Sequence, residues 1–252
     1  MRPPTIHGLG SDGVTATGLK YVTRRGVLAG TALLAGCQAV PDAAPVIPHL
    51  SNDRTGYLLF QAEITPAGLG LFIKDVDALQ ALNPAAVTIF LNSPGGNLQS
   101  AQEMTARVQA MQVRGIQVTM HNVGIVASAA CFLFLAADRR RSVPGGRFIF
   151  HQASVQATPV SGTVSLTFQQ IQDLSTQVQR VERGLTDIIT SRTRITPAEA
   201  TSFTRRTVLL SADEALRDGV IQSIGPATVP KDGGTFVIRA VPATPRPPPS
   251  DR

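Results

Sequence analysis

AVTIFLNSPGGNLQSAQEMTARVQAMQVRGIQVTMHNVGIVASAACFLFLAADRR, Ala86 to Arg140, switches hydrophobic period repeatedly along its length. AVTIFLN (Ala86 to Asn92) is an unbroken apolar run of strand length, bounded by the turn signal SPGG. NLQSAQEMTARVQAMQVRG then places apolar residues three and four apart, the spacing of a helix with one buried face. IQVTMHNV returns to strand, and Ser128 to Ala137 is apolar all round, as a helix buried on every side must be. Buried strands joined through helices run parallel with helices covering the sheet, so the stretch predicts an α/β fold.

The alternation continues on both sides. GYLLFQAEI (Gly56 to Ile64) predicts a strand and LGLFIKDVDALQAL a helix before it, and RFIFHQ (Arg147 to Gln152) a strand after it. A long helix is expected at about residues 165–192, where Ile171, Leu174, Val178, Val181, Leu185 and Ile188 step by three and four. Such a stripe fits a helix docked on its own core or one that meets another subunit. SADEALRDGVIQSIG (Ser211 to Gly225) reads as an N-capped helix running into a short strand. One domain is therefore expected over about residues 55–240, preceded by a proline-bearing linker (37–54) and followed by a proline-rich, disordered tail (241–252).

With 252 residues and 43% apolar content the chain can build a real core. The net charge of +6 and a pI near 10.1 invite a nucleic-acid partner, but the basic residues are scattered and aromatic residues make up only 5%, so none is expected. Arg2, Lys20, Arg24 and Arg25 against Asp12 supply half of that charge from the first 36 residues. The one basic run, Arg139 to Arg141, reads as a solvated turn. Cys37 and Cys131 have no second Cys or His at ligand spacing, so neither a disulfide framework nor a metal is expected, and no cofactor is called for.

TRRGVLAGTALLAGCQAV (Thr23 to Val40) has an arginine pair, an apolar run too short to span a bilayer, and then Cys37. The order matches a signal peptide over residues 1–36, twin-arginine-like, ending in a lipobox whose cysteine takes the lipid. A lipid anchor at Cys37, export, and a periplasm-facing lipoprotein of the outer membrane are expected; the alternative is the cytoplasm.

Three features of the domain suggest chemistry. Asn92, Ser93, Pro94, Gly95 and Gly96 join a buried strand to a helix, and adjacent glycines there either make a good turn or leave N–H groups aimed at an anion. Ser128 sits at a second strand-to-helix junction, where unpaired N–H groups favour developing negative charge. His151 ends the strand RFIFHQ. Taken singly, each has a purely structural explanation.

Together, NSPGGNL, GIVASAACFLFLAA, RFIFHQ and LLSADEALRDGVIQSI, in this order over roughly residues 56–226, resemble the proteolytic subunit of Clp protease, peptidase family S14. The resemblance implies the ClpP/crotonase-like fold of repeated strand-helix units with a long protruding helix. It implies a serine endopeptidase with Ser128 as nucleophile, His151 as general base, and the backbone N–H groups of Gly96 and Ala129 as oxyanion hole. The third triad member falls at Thr207, where the family carries aspartate, and threonine brings no charge to an imidazolium. Glu199, Asp213 and Glu214 are the nearby acids. Peptide substrates and a homo-oligomeric ring are implied too. Clp subunits work with ATP-driven unfoldases in the cytoplasm, partners an exported chain would not meet, so small or unfolded peptides are its expected substrates. The competing expectations are a catalytically weak, peptide-binding or ring-forming envelope lipoprotein, a Ser-Lys peptidase of the signal-peptide-peptidase type, and a crotonase-like acyl-CoA enzyme.

Overall fold

The computed structural model describes residues 49–152 and 167–239. The signal-like segment 1–36, Cys37, most of the linker, the first residues of the expected long helix and the tail 241–252 lie outside the described residues.

The sheet grows from β1 (Thr55–Gln61), β2 (Ala86–Ser93) and β3 (Gln117–Ala127), which pair in parallel in that order. Helices α1 (Pro66–Ala81) and α2 (Leu98–Val113) make the crossovers. Thr65 caps α1 by accepting from the Gly68 N–H at 3.0 Å, with Pro66 in the first turn where a missing N–H costs nothing. Asn97 caps α2 through the Ser100 N–H at 2.8 Å. Side chains alternate across a strand, so Leu58, Phe60, Val87, Ile89, Val118 and Met120 form one buried set with Phe72, Leu79, Met104 and Met111 of the helices. Removing each large apolar side chain from water contributes ~1.5–3 kcal/mol, which makes this layer the main source of cohesion.

Beyond it come α3 (Ala129–Ala136), β4 (Arg139–Ser142), β5 (Arg147–Phe150), α4 (Phe168–Arg192), α5 (Pro197–Phe203), β6 (Val208–Ser211), α6 (Ala212–Arg217), β7 (Ser223–Ile224) and β8 (Thr235–Arg239). Among the described residues the order is β6-β5-β3-β2-β1-β8, with β4 beside β3 and β7, and β5 and β6 are the one antiparallel pair. This is the expected α/β architecture. In α4 the expected stripe divides: Leu185 is buried against the core and Ile188 half-buried, while Ile171 is 52% exposed; Ile189, outside the stripe, is buried too, and Phe168 at the helix start is exposed. Among the described residues, the C-terminal half of the helix is the part that docks on the core.

The arginine run is not a solvated turn. It is β4, and strand alternation sends Arg140 to the helix side while Arg139 and Arg141 face away. Arg140 is 4% exposed and its guanidinium donates to the carbonyls of Ala137 (2.7 Å), Arg192 (2.6 Å), Val220 (2.8 Å) and Gly219 (3.3 Å). Burial, with positive Arg192 nearby, lowers its pKa to about 10, so it keeps its charge at neutral pH. Arg192 in turn donates to the Leu135 and Ala136 carbonyls at the end of α3 and pairs with Asp138 at 2.9 Å. Planar guanidinium forks thus satisfy carbonyls that helix ends leave open.

Truncating Arg140 strands those carbonyls away from water. Arg140→Ala is expected to lose about 3–5 kcal/mol in urea unfolding, and Arg139→Ala, exposed on the same strand, less than about 0.5 kcal/mol. Equal losses for the two would contradict this account.

Candidate active site

Ser93, at the end of β2, accepts at Oγ from the Gly95 N–H (3.2 Å) and so starts the turn. Gly95 and Gly96 then take φ of +96° and +134°, backbone that a side chain makes costly. The loop is tied on its far side, because Ile64 donates its N–H to the Gly95 carbonyl (2.7 Å) and accepts from the Asn97 N–H (2.8 Å). A planar trans peptide points N–H opposite to C=O, so the tethered Gly95 carbonyl turns the Gly96 N–H the other way, toward the side occupied by Ser128. Space is short there: a Cβ on Gly95 would lie 2.7 Å from the Ser128 Cβ and 2.6 Å from the Ala127 carbonyl oxygen.

Ser128 is, as expected, the junction between β3 and α3, with the helix proper beginning one residue later at Ala129. Its φ of 55° and ψ of −126° form a conformation that non-glycine residues avoid, at a cost on the order of 1–3 kcal/mol. Its backbone is fully used: the N–H donates to the Ile149 carbonyl (2.8 Å) and the carbonyl accepts from the Cys131 N–H (2.9 Å). Its hydroxyl makes no capping bond. The first N–H groups of α3, Ala129 included, have no acceptor within the helix. Cys131, one turn on, is fully buried, and burial pushes its thiol far above the ordinary range, so it is not a nucleophile.

A two-residue bulge aims β3 at this point. Leu91 pairs with Asn122 but Ser93 with Val126, so Val123 and Gly124 are extra. Asn92 Oδ1 accepts from the Ile125 N–H (3.0 Å), and buried Asn122 accepts from the Gly124 N–H (2.9 Å) and donates to the Arg147 carbonyl (3.0 Å). Gly124 leaves room for the Asn92 amide, which a Cβ would meet at 2.7 Å. The sequence marks Asn92 only as part of the glycine turn and Asn122 not at all; the bracing role of both comes from the bulge, which the sequence does not show.

His151 follows β5 directly, and β5 lies beside β3 with Ala127 opposite Ile149. His151 Nδ1 is 2.8 Å from the Gln152 carbonyl. A carbonyl only accepts, so Nδ1–H is the donor and Nε2 of the neutral ring keeps its lone pair. Gly96, Ser128, Ala129 and His151 line one cavity of about 100 Å³, walled by apolar groups such as Phe132 and Leu185. Four of the residues singled out in the sequence are thus brought together.

Thr207 is exposed and precedes β6. The last β5–β6 pair is Phe150 with Val208, so the next step sets His151 across from Thr207, yet among the described residues no hydrogen bond joins them. Glu199 and Glu214 bond the backbone N–H groups of Thr196 and Ser211 and lie low in pKa because of those hydroxyls and amides; both cap helices. Asp213 lines a separate groove beside Arg194 and Arg217. None of these acids serves His151.

Residues 50–228 match the Clp protease family model. The chain belongs to the Clp protease family. It is 27% identical over 154 residues to ATP-dependent Clp protease proteolytic subunit 2 of Pseudomonas aeruginosa, covering 60% of this chain and 72% of that protein. With proteolytic subunit 1 of Mycolicibacterium paratuberculosis the identity is 31% over 171 residues, 62% of this chain and 76% of the relative. A ClpP1 point mutant from Listeria monocytogenes superposes with a TM-score of 0.58 at 24% identity, covering 69% of this Clp-family chain and 92% of the other, and shares its fold.

The close approach at Gly95 leads to a measurable asymmetry. Gly95→Ala is expected to destabilise by ~2–4 kcal/mol in urea unfolding, since both φ and the neighbouring Ser128 oppose a Cβ. Gly145→Ala, with open space around it, should shift stability by less than about 0.5 kcal/mol.

Proposed function

We propose that the protein is a serine endopeptidase that cleaves small or unfolded polypeptides through an acyl-enzyme on Ser128. The observation that carries this is the strained Ser128 junction, whose hydroxyl takes no hydrogen bond among the described residues, in one cavity with His151, Gly96 and Ala129. Ser128 Oγ attacks the scissile carbonyl carbon while Nε2 of His151 accepts its proton. Negative charge develops on the carbonyl oxygen, where the N–H groups of Gly96 and Ala129 receive it, each such donor contributing roughly 3 kcal/mol. The tetrahedral intermediate collapses as His151 returns the proton to the departing amine. Water, deprotonated by the same ring, then hydrolyses the ester. The small apolar cavity favours a modest apolar side chain beside the scissile bond.

The weak point is the imidazolium. The Gln152 carbonyl fixes the tautomer by accepting from Nδ1–H, but a dipole stabilises positive charge less than a carboxylate does, and loss of the carboxylate costs up to ~10⁴-fold in turnover in related triads. The same observation favours a second reading, a catalytically weak relative that binds peptides. The exposed outer half of α4 supports assembly with further copies, as the resemblance implies for a ring.

A fluorophosphonate probe on the purified full chain separates the two readings. Labelling is expected in the wild type, absent in Ser128→Ala, at least 100-fold slower in His151→Ala, and faster by about tenfold or more in Thr207→Asp, where a carboxylate replaces the exposed hydroxyl. Labelling that survives Ser128→Ala would sink the mechanism; none in any form would leave the binding protein.

We also propose a lipid anchor at Cys37 and an outer-membrane, periplasm-facing location, supported by the run of small and apolar residues before that cysteine. Cells fed labelled palmitate should mark the wild type and leave Cys37→Ser unmarked; equal labelling of both would place the chain elsewhere.

A further inference from the structure

The segment that tethers the glycine turn also carries an acid. From the end of β1 the chain runs Gln61, Ala62, Glu63 and Ile64 before Thr65 caps α1. Ile64 is fully buried and spends both backbone groups on the turn, its N–H on the Gly95 carbonyl and its carbonyl on the Asn97 N–H. Neighbouring side chains of an extended segment point to opposite sides, so the burial of Ile64 turns Glu63 outward, and Glu63 is exposed.

The Glu63 side chain leans over Gly96. Its Cγ lies 2.9 Å from the place a Gly96 Cβ would take. Adding one carbon–carbon bond of about 1.5 Å puts this Cγ within roughly 4.5 Å of the Gly96 Cα, and the carboxylate carbon, one bond further, within about 6 Å. Gly96 lines the cavity that holds Ser128 and His151. The Glu63 carboxylate therefore stands at the rim of that cavity, whose own lining contains no carboxylate, lysine or arginine. Among the described residues Glu63 takes part in no ion pair and no hydrogen bond, so its charge is uncommitted.

We propose that Glu63 makes this site select peptides that carry a basic residue, lysine or arginine, directly beside the small apolar residue that fills the cavity. The inference rests on reading the cleft as a peptide site, and not on turnover at Ser128. When the residue in the cavity has its carbonyl on the Gly96 N–H, its two neighbours in an extended peptide point the other way, toward the rim. Lysine and arginine side chains lay their stems along apolar surface and carry the charged head several ångströms from their own backbone, far enough to meet a carboxylate so close to Gly96. An acidic neighbour meets like charge there instead. Because Glu63 is exposed, the pair is modest and screened by salt, so the selection is a matter of a few-fold.

Fluorescence anisotropy with the full-length Ser128→Ala chain, which binds without cutting, tests it. The probe is fluorescein-labelled Ser-Arg-Ala-Arg-Ser, compared with Ser-Gln-Ala-Gln-Ser and Ser-Glu-Ala-Glu-Ser. The arginine peptide should bind at least threefold more tightly than the glutamine peptide and the glutamate peptide most weakly, with the spread narrowing as salt rises. Adding Glu63→Gln should bring the arginine and glutamine peptides level. Adding Glu63→Lys should give the glutamate peptide the advantage, a gain that damage to the fold does not produce. Equal binding of the arginine and glutamine peptides, or an arginine preference that survives Glu63→Gln, would overturn the proposal, while fluorophosphonate labelling of the wild type would leave the peptidase reading standing. Binding of none of the three peptides would overturn the selectivity and the peptide-site reading together.

Discussion

The approach of Gly95 to the Ala127 carbonyl and the Ser128 Cβ is closer than a Cβ allows, and the surrounding structure is arranged around it. Bringing two chain segments so near requires that both be fixed from behind. Ile64 does this for the glycine turn with two backbone hydrogen bonds, and the Asn92–Asn122 pair does it for β3 through the bulge. The sheet supplies the rigid frame, since β2 and β3 are neighbours and deliver the two junctions to the same edge. Strain at Ser128 is sustained because its N–H and C=O both have partners in the packed region, Ile149 and Cys131.

One consequence is a division of labour between backbone and side chains. The two prospective oxyanion donors are main-chain groups, set by a tethered peptide plane and by a helix start, so they need no rotamer to be frozen. The hydroxyl and the imidazole, by contrast, are side chains. The ring is oriented by a neighbouring carbonyl, and the residue across from it on the next strand is neutral. Geometry is thus better provided for than charge, which is where this chain departs from the family pattern.

Much of this was legible in the sequence, and the reasons differ by segment. The β2–turn–α2 unit, β3 and α3 carry unbroken apolar patterns, so local periodicity was enough, and SPGG announced the turn. β4 does not show in the sequence because RRRS has no apolar signal; it is a strand because its backbone pairs with β3 and β7, and the Arg140 guanidinium finds its carbonyls far along the chain. β6, β8 and α5 are four, five and seven residues long, too short for a period to show. The left-handed backbone of Ser128 leaves no trace in composition, and the bulge is hidden because its two extra residues preserve the alternation on either side. Thr207 could be aligned by order alone, but only strand register put it opposite His151.

The hydrogen bonds of Arg140 and the pairing of β8 also bear on how the chain is made. Synthesis delivers the N-terminal strands first, yet the outer edge of β1 finds its partner only in Thr235–Arg239, and Arg140 finds its last acceptors only at Gly219 and Val220. Until those residues leave the ribosome, a nascent chain carries an open sheet edge and a guanidinium that has no closed site to enter. The domain therefore seals from its last-made end, and a polypeptide halted before residue 219 keeps the strands of the glycine turn and Ser128 while lacking the cover that holds them.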